Sequence, residues 1–245
     1  MDARLIFRDA AGQQVRADDL EGLSRTVRWE VIDGASVPAE AKRLHNEGRD
    51  AGSRGDYPRA LNLFEQAHRL APDWPYPVYD TAFTYLLQGD ATMAEERYAE
   101  VDRMAPRGFF TAKTSLDCLR REREGSLFPG FCNAFASLEW MNGKAEKKAL
   151  LEDIVEKFPA FPPAWKELAN LLEDEDARLR AIARGLENHP DPETKGMLLL
   201  SRASLLQRRG DRDGAIKILS ELSLDPESTL GTEMLAKAIL AQVMR

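Results

Sequence analysis

Apolar residues return along much of this chain at the spacing of a helix that buries one face. Ala60, Phe64 and Ala67 stand at i, i+4 and i+7, with Arg59, Asn62, Glu65 and Gln66 between them. Ala94, Tyr98 and Val101 repeat the spacing, as do Ala215, Leu219 and Leu222. A Gly-Asp pair lies just ahead of each stretch, at 55–56, 89–90 and 210–211. The glycine breaks one helix and the aspartate is placed to cap the next. Pro72 and Pro106 stop the second helix of the first two units. Small alanines let another helix approach closely and the aromatic ring fills the gap. Each unit therefore reads as a helix–turn–helix hairpin that cannot bury its apolar face alone.

The first two units match at a shift of 34 residues: Gly55 lands on Gly89, Asp56 on Asp90, Ala60 on Ala94, Phe64 on Tyr98, Ala67 on Val101, and Ala71-Pro72 on Ala105-Pro106. On these residues the chain resembles the tetratricopeptide repeat (TPR) family, whose repeat has the same length. A first unit at about 41–74 carries Leu44, Gly48, Gly55, Tyr57, Ala60, Phe64, Ala67 and Pro72 in family order. A second, at about 75–108, carries Val78, Ala82, Tyr85, Gly89, Ala94, Tyr98 and Pro106. A later one sets Leu199, Ala203 and Leu206 ahead of the Gly210-Asp211 turn. Two weaker units lie between. One has Phe131, Ala134, Leu138, Leu151, Ile154 and Pro159, with Lys147 where a small residue is expected. The other has Trp165, Leu168, Ala169, Leu172, Ile182, Gly185 and Pro190, and its turn at Glu173–Asp176 is three residues short. The resemblance covers about 39–227 and implies an all-α fold, a TPR-like solenoid of about five helical hairpins wound as a right-handed superhelix.

Other segments depart from the repeat. Residues 107–127 interrupt the period, with Phe109, Phe110, Leu116 and Leu119 spaced as a further helix. This is either a lone inserted helix or the partner of Phe131–Met141, which shifts the hairpin parity of everything after it. Residues 228–245 read as an amphipathic helix that caps the last apolar face. The first 37 residues differ in character. Leu5-Ile6-Phe7 is followed by a turn at Asp9–Gly12, a return at Gln13–Arg16 and one helical turn at Asp18–Leu23. Val27, Trp29 and Val31 then alternate with charged residues, the period of a half-buried strand. The pattern predicts a small three-stranded β module at 1–37, docked on the first repeat of a solenoid at 38–245.

Composition narrows the function classes. A net charge of −7 argues against bulk nucleic-acid binding, which needs a basic footprint. The longest uncharged run, 125–138, is too short to span a bilayer, and Met1–Arg4 opens without the apolar core of a signal peptide. No membrane insertion is expected. Two cysteines make no disulfide scaffold and fit a reducing compartment, so a cytoplasmic location is expected. Arg outnumbers Lys 24 to 10, a bias that hints at a GC-rich bacterial genome.

Candidate chemistry is sparse. His45, His68 and His189 have no Cys, Ser or acid at a nucleophile–base spacing, and two histidines alone make a poor metal site. They read as surface or groove residues. Cys118 and Cys132 lie seven residues either side of Gly125, so a chain reversal there brings them level. The reading favoured is two small buried hydrophobes, the rival a redox pair. Glu173–Asp176 reads as a solvated turn that caps the next helix, not a cation loop. Arg120-Arg121-Glu122-Arg123 reads as the exposed side of the inserted helix.

The better candidate is the groove. The resemblance implies a concave surface lined by the first helix of each repeat. Its positions fall on Lys42, His45 and Arg49, then Tyr76, Tyr79, Phe83 and Leu86, then Lys166 and Asn170, and then Met197, Leu200 and Gln207. Tyr79, Phe83 and Leu86 form an apolar line separate from Val78, Ala82 and Tyr85, which is either an open anchor site or core beneath the inserted helix. His45 and Arg49 are expected as a basic rim beside it. Some family members clamp a chaperone's C-terminal carboxylate; here Asp80 stands where an Asn is needed, and that function is rejected. The expectation is a non-enzymatic scaffold that binds a protein or peptide, without cofactor, metal or nucleic acid. A structural subunit acting through the β edge or helical face is the alternative, and an enzyme is the remaining rival.

Overall fold

The computed structural model describes residues 37–244 (backbone only at Trp140) and the backbone of 4–8, 14–15 and 28–32. The N-terminal strands β1 (Arg4–Arg8), β2 (Gln14–Val15) and β3 (Arg28–Ile32) form an antiparallel sheet of order β2-β1-β3. Phe7 stands opposite Val15 on one side and Trp29 on the other. The expected turn at 9–12, the helical turn at 18–23 and Val27 lie outside the described residues.

Twelve helices follow among the described residues: α1 (Ala39–Ser53), α2 (Tyr57–Leu70), α3 (Pro75–Leu87), α4 (Ala91–Met104), α5 (Ala112–Arg123), α6 (Phe131–Ala136), α7 (Lys144–Lys157), α8 (Pro162–Leu171), α9 (Glu175–Glu187), α10 (Pro192–Arg208), α11 (Arg212–Leu224) and α12 (Leu230–Val243). A 3-10 turn at Ser137–Trp140 extends α6. The Gly-Asp turns share one geometry. Gly55, Gly89 and Gly210 take left-handed φ of +79°, +79° and +82°, where a Cβ is strained. Asp56, Asp90 and Asp211 then accept the amides of Arg59, Met93 and Gly214, three residues on. The faces that these turns orient are buried: Ala60, Phe64 and Ala67, then Ala94, Tyr98 and Val101, then Ala215, Leu219 and Leu222.

Helix α1 neighbours α3, α3 neighbours α6, α8 neighbours α10 and α10 neighbours α12. Helix α5 packs on α4, α6 and α10. Downstream, α8 pairs with α9 and α10 with α11 as hairpins, and α12 packs on α11. The fold is an all-α, TPR-like solenoid of helical hairpins with a small N-terminal sheet.

The array also closes on itself. The Leu230 amide, at the start of α12, donates to the Arg107 carbonyl at 2.8 Å. The Arg107 guanidinium reaches the Ser228 carbonyl at 3.1 Å and the Glu233 carboxylate. One turn into α5, the Thr114 amide donates to Glu193 of α10 at 3.0 Å. The segment after the second hairpin thus touches α10 and α12.

Three readings need correction. Cys118 and Cys132 form a disulfide, with Cα atoms 5.9 Å apart, because the chain reverses at Gly125 with φ +79°. With the pair bonded, the thiol argument for a reducing compartment lapses. Arg121 is not on an exposed face: its guanidinium donates to Asp117 at 2.6 Å and to the Ala160 carbonyl at 2.7 Å. His45 is neither a surface nor an open groove residue. It is buried against Phe64, Trp74 and Tyr76 and meets Asp80 at 2.7 Å.

Candidate functional site

Helices α3, α5, α6, α8, α10 and α12 line a cavity of about 500 Å³. From the α3, α5 and α6 side come Phe83, Leu86, the Cys118–Cys132 pair, Phe135 and Leu138, with Phe161 beside them, together with the polar Thr111, Thr114, Ser115 and Glu139. From α8, α10 and α12 come Lys166, Glu167, Glu193, Thr194, Thr229 and Thr232, together with the apolar Met197 and Leu235. Helix α3 supplies the aromatic wall because it is apolar on two faces. Val78 and Ala82 bury into its own hairpin, and the line through Tyr79 and Phe83 turns toward the cavity.

The α4–α5 link covers part of that line. Gly108 has φ +90° and Phe110 has φ +51°, so the backbone folds back and sets two rings over α3. Phe109 and Phe110 meet Tyr76 at 4.9 and 5.3 Å between centroids, and Tyr79 at 5.7 and 5.2 Å. The Tyr79 hydroxyl lies 2.7 Å from the Thr111 hydroxyl, and burial pushes its phenol pKa up. The aromatic face is therefore partly core and partly cavity wall.

Of the groove residues named from sequence, Tyr79, Phe83 and Lys166 come together on this cavity. Lys42 and Asn170 are exposed on α1 and α8, and Arg49 is exposed with its guanidinium 3.8 Å from Asp80. His45 and Tyr76 lie in the aromatic cluster described above. The expected basic rim is thus matched by Asp80. Lys166 donates to Glu167 at 2.9 Å. Burial works against its ammonium, but Glu167, with Asp191 and Glu193, outweighs this and holds its pKa above the ordinary value. The Lys166 charge in turn lowers the Glu167 carboxyl.

Sequence reading missed Asp191, Glu193 and Thr114. Asp191 caps α10, accepting the amides of Glu193 and Thr194 at 3.0 and 3.1 Å, and Pro192 follows at the first helical position. That Asp-Pro pair was a legible helix start. Its contact with Thr114, 77 residues away, had no local signal. Burial, with Asp191 beside it, raises Glu193 to about 8, against the opposing pull of the Thr114 amide.

No family model matches the chain, and no curated protein matches its sequence. Among solved structures it is similar to MamA (residues 41 to the end) from Desulfovibrio magneticus RS-1, at 17% identity and TM-score 0.37, over 76% of this chain and 94% of that one. It is similar to TTC0263, a TPR protein of Thermus thermophilus, at 19% identity and TM-score 0.35, over 83% and 98%. PilF of Pseudomonas aeruginosa gives 17% identity and TM-score 0.38, over 83% and 97%. TM-scores this low leave the fold assignment to the hairpins and the Gly-Asp turns themselves.

Proposed function

We propose that the chain is a non-enzymatic interaction module that takes a segment of a partner protein into the cavity lined by α3, α5, α6, α8, α10 and α12. One observation carries this reading: the cavity lining combines apolar side chains, Phe83, Phe135 and Leu138 among them, with charged and hydroxyl side chains. An apolar anchor beside a few directional polar groups is what a short protein segment needs for affinity and register. The described residues bring together no group of three or more metal-ligating side chains, and the reading calls for no cofactor.

The test is selection of binding peptides from a random library on the full chain, followed by titration. Phe83→Ala should weaken a selected peptide by about 2 kcal/mol, roughly 30-fold, as an anchor residue does. Arg59→Ala, on the exposed side of α2, should leave binding unchanged. If Phe83→Ala stays folded and binds selected peptides undiminished, the cavity is not the site. The outer edge of β3 is then the next place to look.

A further inference from the structure

Buried or half-buried acids in this chain generally have a cation beside them. Asp117 lies between Arg120 and Arg121, Asp80 meets His45, Glu167 meets Lys166, and Glu233 lies between Arg107 and Lys237. Among the buried acids of the described residues, Asp117, Asp191 and Glu193, only the last two lack one. Each is only 8% exposed, and among the described residues no Lys, Arg or His nitrogen lies within 4.0 Å of either carboxyl.

Both carboxyls are held in place on their inner side. Asp191 Oδ1 accepts the Thr114 hydroxyl at 3.0 Å as well as the two amides it caps. Glu193 Oε2 accepts the Thr114 amide at 3.0 Å. The outer oxygens, Asp191 Oδ2 and Glu193 Oε1, are buried without a hydrogen-bond partner among the described residues. Gly108 packs closely beside the second: a Cβ there would stand 3.3 Å from Glu193 Oε1 and 3.0 Å from the Thr229 side chain. Glu193 also lines the cavity, as do Met197 and Phe110.

We propose that Glu193, on the cavity wall with Asp191 behind it, is the recognition point for a Lys or Arg side chain carried by the segment that enters the cavity. This rests on the reading of the cavity as a protein-segment site. A buried acid pair without a cation is incomplete: each orphaned oxygen forfeits the hydrogen bonds that water gave it. An ammonium or guanidinium satisfies both lack of charge and lack of donors, while its aliphatic stem runs along Met197 and Phe110. Lys166 cannot fill the role, since it is committed to Glu167. The described residues also bring no third ligating group that would favour a metal ion. Oε1 is buried, so a cation reaches it only as the neighbouring segment shifts, and that segment holds Phe110 at φ +51°, a conformation bulky residues seldom keep.

The experiment is calorimetric titration of the full chain at pH 7. The probes are Nα-acetyl-arginine methylamide and Nα-acetyl-lysine methylamide, with the uncharged citrulline analogue as reference. The basic probes should bind about tenfold tighter than the citrulline one. In the empty site Glu193 holds its proton, with Asp191, Lys166 and the Thr114 and Lys113 amides facing it. Binding of a cation should expel that proton, so buffers of different ionisation enthalpy should report release of about one proton per probe. Glu193→Gln should lose both the tenfold preference and the release. Should that variant fail to fold by circular dichroism, Glu193→Asp, which keeps the carboxylate, should retain the preference. Equal binding of basic and citrulline probes overturns the proposal, and so does a proton release that Glu193→Gln leaves intact. A selected peptide that needs Phe83 but ignores Glu193→Gln overturns the cation site alone. One that ignores both overturns the cavity reading beneath it.

Discussion

At Glu193, burial lifts the carboxyl to about 8, against about 4.3 in an open chain. The sign of the consequence is fixed. Between those values the folded chain holds a proton that the unfolded chain has released, so stability falls as pH rises through the window and levels off above it. The neighbours that set the shift are Asp191, which opposes ionisation, and the Thr114 and Lys113 amides, which favour it. Glu193→Gln carries no such proton. Urea midpoints of the two proteins should therefore converge, or cross in favour of the variant, from pH 5 to pH 9. An offset that stays constant over that range would contradict the assignment. Two glycines of α1 give a second residue-level contrast. A Cβ on Gly48 would meet Phe64 at 2.5 Å, whereas on Gly52 its nearest neighbour is Ala60 at 3.7 Å. Gly48→Ala should cost about 1–3 kcal/mol by overpacking. Gly52→Ala should gain about 0.4–1 kcal/mol through helix propensity and a less free unfolded chain. Melting temperatures that move in the same direction for both would show that α1 does not seat on Phe64 as described.

At the scale of elements, the Cys118–Cys132 bond fastens α5 to α6 across 14 positions of sequence. Closing a loop of that size in the unfolded chain is worth about 3 kcal/mol. The double change Cys118→Ala, Cys132→Ala should lower the unfolding free energy by about that amount, measured by denaturant titration. A loss under about 0.5 kcal/mol would mean that the bond adds nothing to what α5 and α6 gain by packing. The pairing also shows where legibility ends. The level placement of the two cysteines about Gly125 was readable, because a turn glycine and equal arm lengths are local facts. That the sulfurs bond was not, since composition argued the other way. The Gly-Asp turns were legible for the same local reason: a left-handed glycine and an aspartate cap are chemistry within five residues. Tyr79 and Phe83 line the cavity as a second face of α3, which helical spacing separates from the first, whereas Lys166 was placed there only by the groove positions that the family resemblance implies. The acid pair and Thr114 were not, because α5 reaches α10 by tertiary closure, and no spacing rule carries a contact across 77 residues. His45 was misplaced because its partner Asp80 lies on the next hairpin, 35 residues on.

For the whole molecule, the seam that closes the array has the marks of a weakly held contact. It rests on the Leu230 amide to the Arg107 carbonyl, the Arg107 guanidinium on Ser228 and Glu233, and Thr114 on the acid pair. Against these stands Phe110 in a left-handed conformation, which costs on the order of 1–3 kcal/mol. Asp191 Oδ2, Glu193 Oε1 and Ser228 Oγ, buried along the same seam without a hydrogen-bond partner among the described residues, weaken it further. The hairpin interiors show the opposite balance, with the apolar Ala60, Ala94, Ala215 and Leu219 wholly buried. Opening at the seam should therefore need less free energy than global unfolding, and the cavity should be entered by that route. Amide hydrogen exchange is the direct measurement. The Leu230 and Thr114 amides should exchange faster than amides in the middle of α4 or α11. Arg107→Ala removes the guanidinium contacts to Ser228 and Glu233 while leaving the hairpin cores untouched. It should speed exchange at those two amides by about tenfold, the effect of a charged hydrogen bond lost, and leave α4 and α11 unchanged. Solution scattering of that variant should give a larger radius of gyration as the closed form loses population. If exchange instead rises uniformly through every helix, the seam is part of the cooperative core, and the cavity does not open ahead of unfolding.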